Sequence, residues 1–194
     1  MMIHKSVQNL IYIQNQVKSI LINKDSSKLP KIIAVSKTFE LDKILPLINH
    51  GHLDFGENKV QEAVKKWTDM KNKKPEIKLH MIGKLQSNKV KFAVKLFDYI
   101  HSVDNEKLAK KIAEEQLKLK KKIKIFIQIN VGNESQKSGI DPNNIGNFLN
   151  YCKSLNLNVI GLMCIPPEST DSKVFFEQMK ELAKKYNQNE LSMG

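Results

Sequence analysis

The chain contains no arginine, and all 32 of its basic residues are lysines. They outnumber the 20 acidic residues and give a formal net charge of +12, which is compatible with binding to nucleic acid or to a membrane surface. However, arginine is the residue that grips phosphate with two bonds and reads base edges. The lysines are also spread along the chain and do not form one stripe. We therefore expect no specific nucleic-acid partner.

Cysteine is scarce as well. The two cysteines, Cys152 and Cys164, form neither a CxxC pair nor the spacing of a zinc site. Cys164 lies in an apolar run, where a cysteine behaves as a small buried hydrophobic residue. This usage predicts a protein of the reducing cytoplasm. We find no signal-peptide core and no apolar run long enough to span a bilayer, so no membrane partner is expected.

The sequence gives little support for a metal site or for a dinucleotide-binding site. His50-Gly51-His52 has the look of a metal-binding pair, but it lies in a helix-to-strand turn without a third ligand, so no metal is expected. A glycine-rich fingerprint does not follow the first predicted strand, which argues against a dinucleotide-binding sheet.

Short apolar runs alternate with segments of helical period, which predicts one α/β domain over residues 1–194. The predicted strands cover residues 31–37, 52–56, 78–83, 98–103, 123–130, 158–165 and 190–193. An amphipathic helix precedes them, Asp104 and Asp171 are predicted to cap later helices, and Pro46 is expected to weaken the helix over residues 40–49. Seven strands in succession favour a (β/α)8 TIM-type barrel that is one strand short, over an open doubly wound sheet.

Lys37 ends the first apolar run, and its position admits two interpretations. If the lysine is withdrawn from water at the tip of a buried strand, its charged form is disfavoured and the neutral amine can attack a carbonyl. Alternatively, the side chain extends from the strand end into solvent. In a barrel of this kind, chemistry takes place at the carboxyl ends of the strands. Other polar residues lie at the carboxyl ends of the predicted strands, including His101 near the end of the fourth, so Lys37 is expected to belong to a group at one rim.

Six strings now match a family pattern, one in almost every βα unit. They are Ala34-Val35-Ser36-Lys37-Thr38, Phe55-Gly56-Glu57-Asn58, His80-Met81-Ile82-Gly83 with Leu85-Gln86-Ser87-Asn88-Lys89, Ile129-Asn130-Val131 with Lys137, Gly161-Leu162-Met163-Cys164-Ile165-Pro166-Pro167, and Leu191-Ser192-Met193-Gly194. In this order they strongly resemble the pyridoxal phosphate homeostasis protein family, over nearly the whole chain.

The resemblance implies the fold type III barrel of pyridoxal 5′-phosphate (PLP) proteins, like the N-terminal domain of alanine racemase. It implies that Lys37 holds PLP as an aldimine and that the protein carries and buffers the cofactor without catalytic turnover. The expected cofactor-binding residues are Lys37, Asn58, His80, Asn130, Met163 and Ser192. The expected partners are PLP and PLP-dependent apo-enzymes, and a monomer is expected.

Several of these residues have a structural alternative. Asn58, His80 and Asn130 could cap helices or satisfy backbone groups, and Met163 could pack in the core. Ser87 is expected to cap a helix, and Lys137 fits a near-site or a solvated loop equally well.

The sequence departs from the family at its end, where the family continues with a further helix and an eighth strand that carries an arginine. On the order of 30 residues, about one βα unit, are expected to be missing. Strands one and seven would then be edges, and PLP would be held poorly, with Ser192 alone remaining of the phosphate cup. An amino-acid racemase of the same barrel type is the alternative function. That reaction needs a second acid–base residue, commonly a tyrosine.

Overall fold

The computed structural model describes residues 3–22, 29–132, 138–167 and 171–194. Its seven longer helices are α1 (Lys5–Ile22), α2 (Leu41–Asn49), α3 (Val60–Lys73), α4 (Val90–Leu96), α5 (Glu106–Leu119), α6 (Ile145–Ser154) and α7 (Ser172–Lys185). Its seven strands are β1 (Ala34–Val35), β2 (Asp54–Glu57), β3 (Lys78–Met81), β4 (Tyr99–Val103), β5 (Lys124–Gln128), β6 (Asn158–Cys164) and β7 (Glu190–Met193). Single 3-10 turns, Ser87–Lys89 and Pro142–Asn144, precede α4 and α6.

The seven strands form one parallel sheet in the order of the chain, β1 to β7. Within the described residues, β1 pairs only with β2 and β7 only with β6, so these two strands are the edges. A hydrogen bond of 2.7 Å joins His101 Nδ1 on β4 to Ser192 Oγ on β7. Because β4 and β7 are not neighbours, this contact shows that the sheet curls as a barrel does. The predicted α/β barrel class is confirmed, and the strand over residues 190–193 lies where it was predicted.

Successive side chains along each strand point alternately to the outer face of the sheet, which the helices cover, and to its inner face. The outer layer, between sheet and helices, is the main apolar core, in which Phe55 packs on Trp67 with ring centroids 5.0 Å apart. The inner layer is more polar and contains buried His80 and His101, the second stacked on Phe126 at 4.4 Å. The short apolar runs of the sequence do not reveal these polar residues of the inner face.

Strand β1 is much shorter than the predicted strand over residues 31–37. Ala34 pairs with Phe55 and Val35 with Gly56, and Ser36 N extends the ladder by a hydrogen bond of 2.9 Å to Gly56 O. In this register Ile33 lies opposite Asp54, the first residue of β2, and residues 31 and 32 lie beyond the start of that strand. The apolar run over residues 31–37 therefore lies at a sheet edge and is paired only briefly, which corrects the prediction of a buried strand.

The helix ends confirm one predicted cap and correct two. Asp171 caps α7 by accepting a hydrogen bond of 3.0 Å from Lys173 N. The cap of α5 is Asn105, one residue after the predicted Asp104, and its side chain accepts from Leu108 N at 2.9 Å. Ser87 is the first residue of its 3-10 turn and not the cap.

Helix α2 forms with Pro46 inside it. Across the described part of the chain, none of the helices combines the length and apolarity that crossing a membrane requires.

Candidate functional site

Lys37 lies in the turn that follows β1, and its side chain is exposed. Of the two interpretations of Lys37, extension into solvent is confirmed and withdrawal from water is wrong, because β1 is a two-residue edge strand and Val35 is itself 49% exposed. Alternation places Lys37 on the same face as Ile33, whose methyl group lies on the inner side near Gly56 and Ile82. The amine thus stands in solvent at the carboxyl-end rim.

Asn130 follows β5 at the same rim. Its backbone N donates to Ile140 O at 3.0 Å, and Ile140 N donates to Gln128 O at 2.8 Å. These bonds hold Ile140 beside the end of β5, next to a cavity of about 260 Å³ that Ser138 helps to line. The cavity lies between the carboxyl ends of β3, β5 and β6 and is lined in part by Gly83, Lys84, Gln128, Asn130, Ser138 and Ile165.

Asn58 follows β2 and lines a second cavity, of about 310 Å³, together with Gln61, Lys84 and Lys89. Lys84 borders both cavities. The Oδ1 atom of Asn58 is buried and accepts no hydrogen bond from any residue that the structure describes. Lys37 is not among the residues that line either cavity in the described parts of the chain.

Glycine is required where these two cavities meet. A Cβ atom on Gly83 would lie 2.4 Å from Asn58 O and 2.7 Å from Asn58 Cα. No side chain therefore fits at this close approach of the loops after β2 and β3.

The other predicted site residues lie below the rim, inside the barrel. His80 is 1% exposed, Met163 is 3% exposed, and Met163 pairs in register with Gln128 on one side and Ser192 on the other. Sequence reasoning placed His101 at the rim. The structure instead buries it beside His80.

A continuous hydrogen-bonded chain runs through this interior, and we call Asp54, His80, His101 and Ser192 the interior relay. His80 Nε2 lies 3.0 Å from Asp54 Oδ1, and His80 Nδ1 lies 2.9 Å from His101 Nε2. Ser192 Oγ lies 2.7 Å from His101 Nδ1. An ionised carboxylate only accepts, so His80 donates from Nε2 to Asp54. His101 then donates to His80, and Ser192 donates to His101, with both rings neutral.

The electrostatics agree with this assignment. Burial lowers the pKa of His101 to about 3, with a further contribution from the charge of His80. Burial also lowers the pKa of His80, against the opposing hydrogen bond and charge of Asp54. Burial tends to raise the pKa of Asp54, but hydrogen bonds from His80 and Lys31 outweigh it and leave the pKa below its ordinary value. Both imidazoles are therefore uncharged at neutral pH.

His80 has protein partners on both ring nitrogens and stacks on Tyr99 with centroids 4.2 Å apart. This favours the structural alternative for His80, and its contact with a cofactor stays a prediction. Sequence reasoning did not include Asp54 in the site. The sequence did offer one indication that Asp54 belongs there, because it places a carboxylate at the start of a strand that otherwise faces a core.

His52 of the suspected metal pair bonds through Nε2 to Asp54 O at 2.8 Å and packs against the Phe55 ring in a T-shaped arrangement. Lys137 lies outside the described residues, so its two alternatives stay open.

Comparison with known proteins decides the family. Residues 14–192 match the model of the alanine racemase N-terminal domain. The pyridoxal phosphate homeostasis protein of Pasteurella multocida is 34% identical over 199 residues, which cover 96% of this chain and 85% of that protein. The chain belongs to the pyridoxal phosphate homeostasis protein family. The human member is also 34% identical, over 85% of this chain and 67% of its own length.

Solved structures agree with this membership. PipY of Synechococcus elongatus PCC7942, solved without PLP, is 32% identical with a TM-score of 0.77, over 93% of this chain and 88% of that one. PipY with PLP bound is 31% identical with a TM-score of 0.76, over 92% and 87% of the two chains. An alanine racemase from Clostridium difficile is 15% identical with a TM-score of 0.71, over 96% of this chain and 50% of that one. At that identity the racemase shows the shared fold alone.

Proposed function

We propose that this member of the pyridoxal phosphate homeostasis protein family binds PLP and buffers the free cofactor inside the cell, without turning over a substrate. The observation that carries the proposal is the likeness to PipY with PLP bound, which extends over 92% of this chain at 31% identity. Lys37 is the proposed point of covalent attachment. PLP supplies an aldehyde, and a lysine amine is the protein group that bonds to it.

The residues at the rim fit a small polar aromatic ligand. The Lys37 amine is accessible, and the cavity of about 260 Å³ offers Gln128, Asn130 and Ser138 beside apolar Ile165. Ligand sites in proteins are commonly concave, mostly apolar and provided with a few polar groups that fix orientation.

Asn58 and Asn130 are proposed as direct contacts. The buried Oδ1 of Asn58 has no hydrogen-bond donor from the described residues, and a buried acceptor of this kind requires an explanation. A ligand that brings a hydroxyl or N–H donor would provide one. His80, Met163 and Ser192 lie beneath, where we propose that they shape the floor under the ligand.

The absence of turnover is part of the proposal, and the tyrosines support it. Tyr12 is on α1, Tyr151 is on α6, and Tyr186 follows α7. Tyr99 starts β4, at the end of the barrel opposite the rim. A racemase needs a second acid–base group facing the cofactor. We expect no D-alanine from L-alanine with PLP present, and its formation at enzymatic rates would favour the racemase alternative.

The attachment site is tested by adding PLP, following the absorbance band of the lysine–aldehyde bond, fixing that bond with borohydride and mapping the labelled peptide. We expect the label on Lys37. Lys43→Ala is the matched control, because Lys43 is an exposed lysine on the neighbouring helix α2. Lys37→Ala should abolish the band and Lys43→Ala should not. A label spread over many lysines, or retained in Lys37→Ala, would overturn the assignment of Lys37.

A further inference from the structure

Ser36, the residue before Lys37, is fixed by hydrogen bonds that the sequence does not predict. Ser36 is 4% exposed, and its Oγ donates to Glu57 Oε1 at 2.7 Å. Lys66 Nζ donates to Ser36 O at 2.8 Å and to Glu57 Oε1 at 3.0 Å. Helix α3 is therefore bonded to β2 and to the segment that carries Lys37 through one cluster. We call Ser36, Glu57 and Lys66 the Ser36 clamp.

The ion pair of the Ser36 clamp is shielded from solvent, and a neighbouring side chain of α3 fixes the orientation of Glu57. The side chain of Glu57 is 0% exposed and that of Lys66 is 9% exposed. Trp67 Nε1 donates to Glu57 Oε1 at 2.9 Å, so three donors converge on one carboxylate oxygen. The other oxygen, Oε2, is buried and finds no donor among the described residues.

Stability alone does not account for such an arrangement. A buried ion pair often contributes no more than a well-packed apolar pair of the same volume, because both charges lose their hydration. Here one oxygen of Glu57 is also left unpaired, which adds to the unfavourable desolvation. What the pair does achieve is a fixed position for the backbone of Ser36.

The Lys37 segment has little else to hold it. Strand β1 has two residues and one neighbour, so few ladder bonds restrain it. Thr38 has a φ of 67°, a left-handed conformation that is unfavourable for a β-branched residue. The Phe39 N–H closes the turn on Ser36 O at 3.2 Å, the same carbonyl that Lys66 contacts.

We propose that Glu57 and Lys66 are positioning residues that hold the amine of Lys37 at the place where it bonds to the cofactor. This inference rests on the proposed function of Lys37. A lysine on a mobile edge segment spends less time within reach of a bound aldehyde, and small misplacements of a reacting group lower its effective concentration steeply. The clamp replaces the restraint that a longer strand would give.

The test compares Lys66→Met with Lys71→Met in the full chain. Lys71 is a matched control because it lies on the same helix, forms an ion pair with Asp98 and donates to Leu96 O at 3.4 Å. Its pair is partly shielded, with side chains 17% and 21% exposed, and none of these contacts involves Ser36. Both substitutions remove an ammonium that is paired with a carboxylate, and urea midpoints measure the stability that each variant loses.

Two readouts are followed. Without PLP, hydrogen exchange at Ser36 N–H and Phe39 N–H should be at least about ten-fold faster in Lys66→Met and unchanged in Lys71→Met. With PLP, the dissociation constant from the absorbance band should rise at least about ten-fold in Lys66→Met, and the borohydride-fixed fraction at Lys37 should fall. Ser36→Ala, which deletes only the hydroxyl contact with Glu57, should shift both readouts in the same direction by a smaller factor.

The proposal is overturned if Lys66→Met and Lys71→Met change hydrogen exchange and PLP binding equally, once each change is divided by that variant's loss of stability. If Lys66→Met does not fold, Ser36→Ala decides, and wild-type exchange and binding in that variant would overturn it as well. Failure of the wild-type chain to fix PLP on Lys37 is a different result, since it removes the proposed function. In that case faster exchange in Lys66→Met still supports the clamp as the restraint on this segment, and unchanged exchange rejects it.

Discussion

Acidification should destabilise the fold through His101, a member of the interior relay. Its pKa is lowered to about 3 in the folded chain, mainly by burial, whereas an unfolded histidine titrates near its ordinary value. Below pH 6.5 the unfolded chain therefore binds a proton that the folded chain does not. The stability due to neutral His101 is fully present above the unfolded pKa and is lost as the pH falls from about 6.5 towards 3.

The size of this effect follows from the same numbers. At pH 5 the unfolded histidine lies about 1.5 pH units below its pKa of about 6.5, and each unit corresponds to about 1.36 kcal/mol. The free energy of unfolding should therefore fall by about 2 kcal/mol between pH 7 and pH 5 through His101 alone.

Urea unfolding at pH 7 and pH 5 measures this loss. His101→Gln should be less stable than wild type at pH 7 but should lose about 2 kcal/mol less on going to pH 5. His4→Gln is the control, because His4 is exposed and its ring nitrogen Nδ1 bonds to the nearby Ser6 and not to the interior relay. Its pH dependence should equal that of the wild type. If His101→Gln loses as much stability as wild type between these pH values, His101 is not the buried neutral group described above.

Other parts of the fold give simpler tests. Burial raises the pKa of the Cys152 thiol to about 12 and that of the Cys164 thiol to about 11, so at pH 8 a thiol reagent should modify them only when urea unfolds the chain. Asn105→Ala removes the cap of α5 and should lower stability by about 1 kcal/mol in urea unfolding. The stability of the neighbouring Asp104→Ala variant should stay within about 0.5 kcal/mol of wild type. A larger loss would show that Asp104 caps α5, as the sequence predicted. Gly161→Ala places a methyl group 2.0 Å from a backbone oxygen of β7, so thermal unfolding should show a loss of about 1–3 kcal/mol.

The sequence was sufficient to predict the alternation of strands and helices, because apolar period and turn residues are local properties. It also placed β7 and the cap at Asp171 correctly. It failed at β1, where the apolar residues Ile32 and Ile33 precede a strand of only two residues at the sheet edge. Whether a strand lies in the middle of a sheet or at its edge depends on contacts with distant residues, which a local pattern does not contain.

The site was only partly predictable for the same reason. Asn58 and Asn130 could be placed at the rim because each follows a strand. The interior relay joins residues up to 91 positions apart, as in the bond between His101 and Ser192. The contact of Lys66 with Ser36 spans 30 positions. Pairings at such separations arise from the curl of the sheet, which single motifs do not specify.

The strand order has a consequence for how the chain reaches its native state. Every strand pairs with the strand that comes immediately before or after it in the sequence. During synthesis each new strand therefore emerges next to a partner that has already been made, and does not wait for a segment still inside the ribosome. Domains fold from the N-terminal side as they are synthesised, and exposed strand edges are the surfaces on which incomplete chains aggregate. A sheet built in chain order presents one growing edge at a time to a chaperone or to a neighbouring nascent chain.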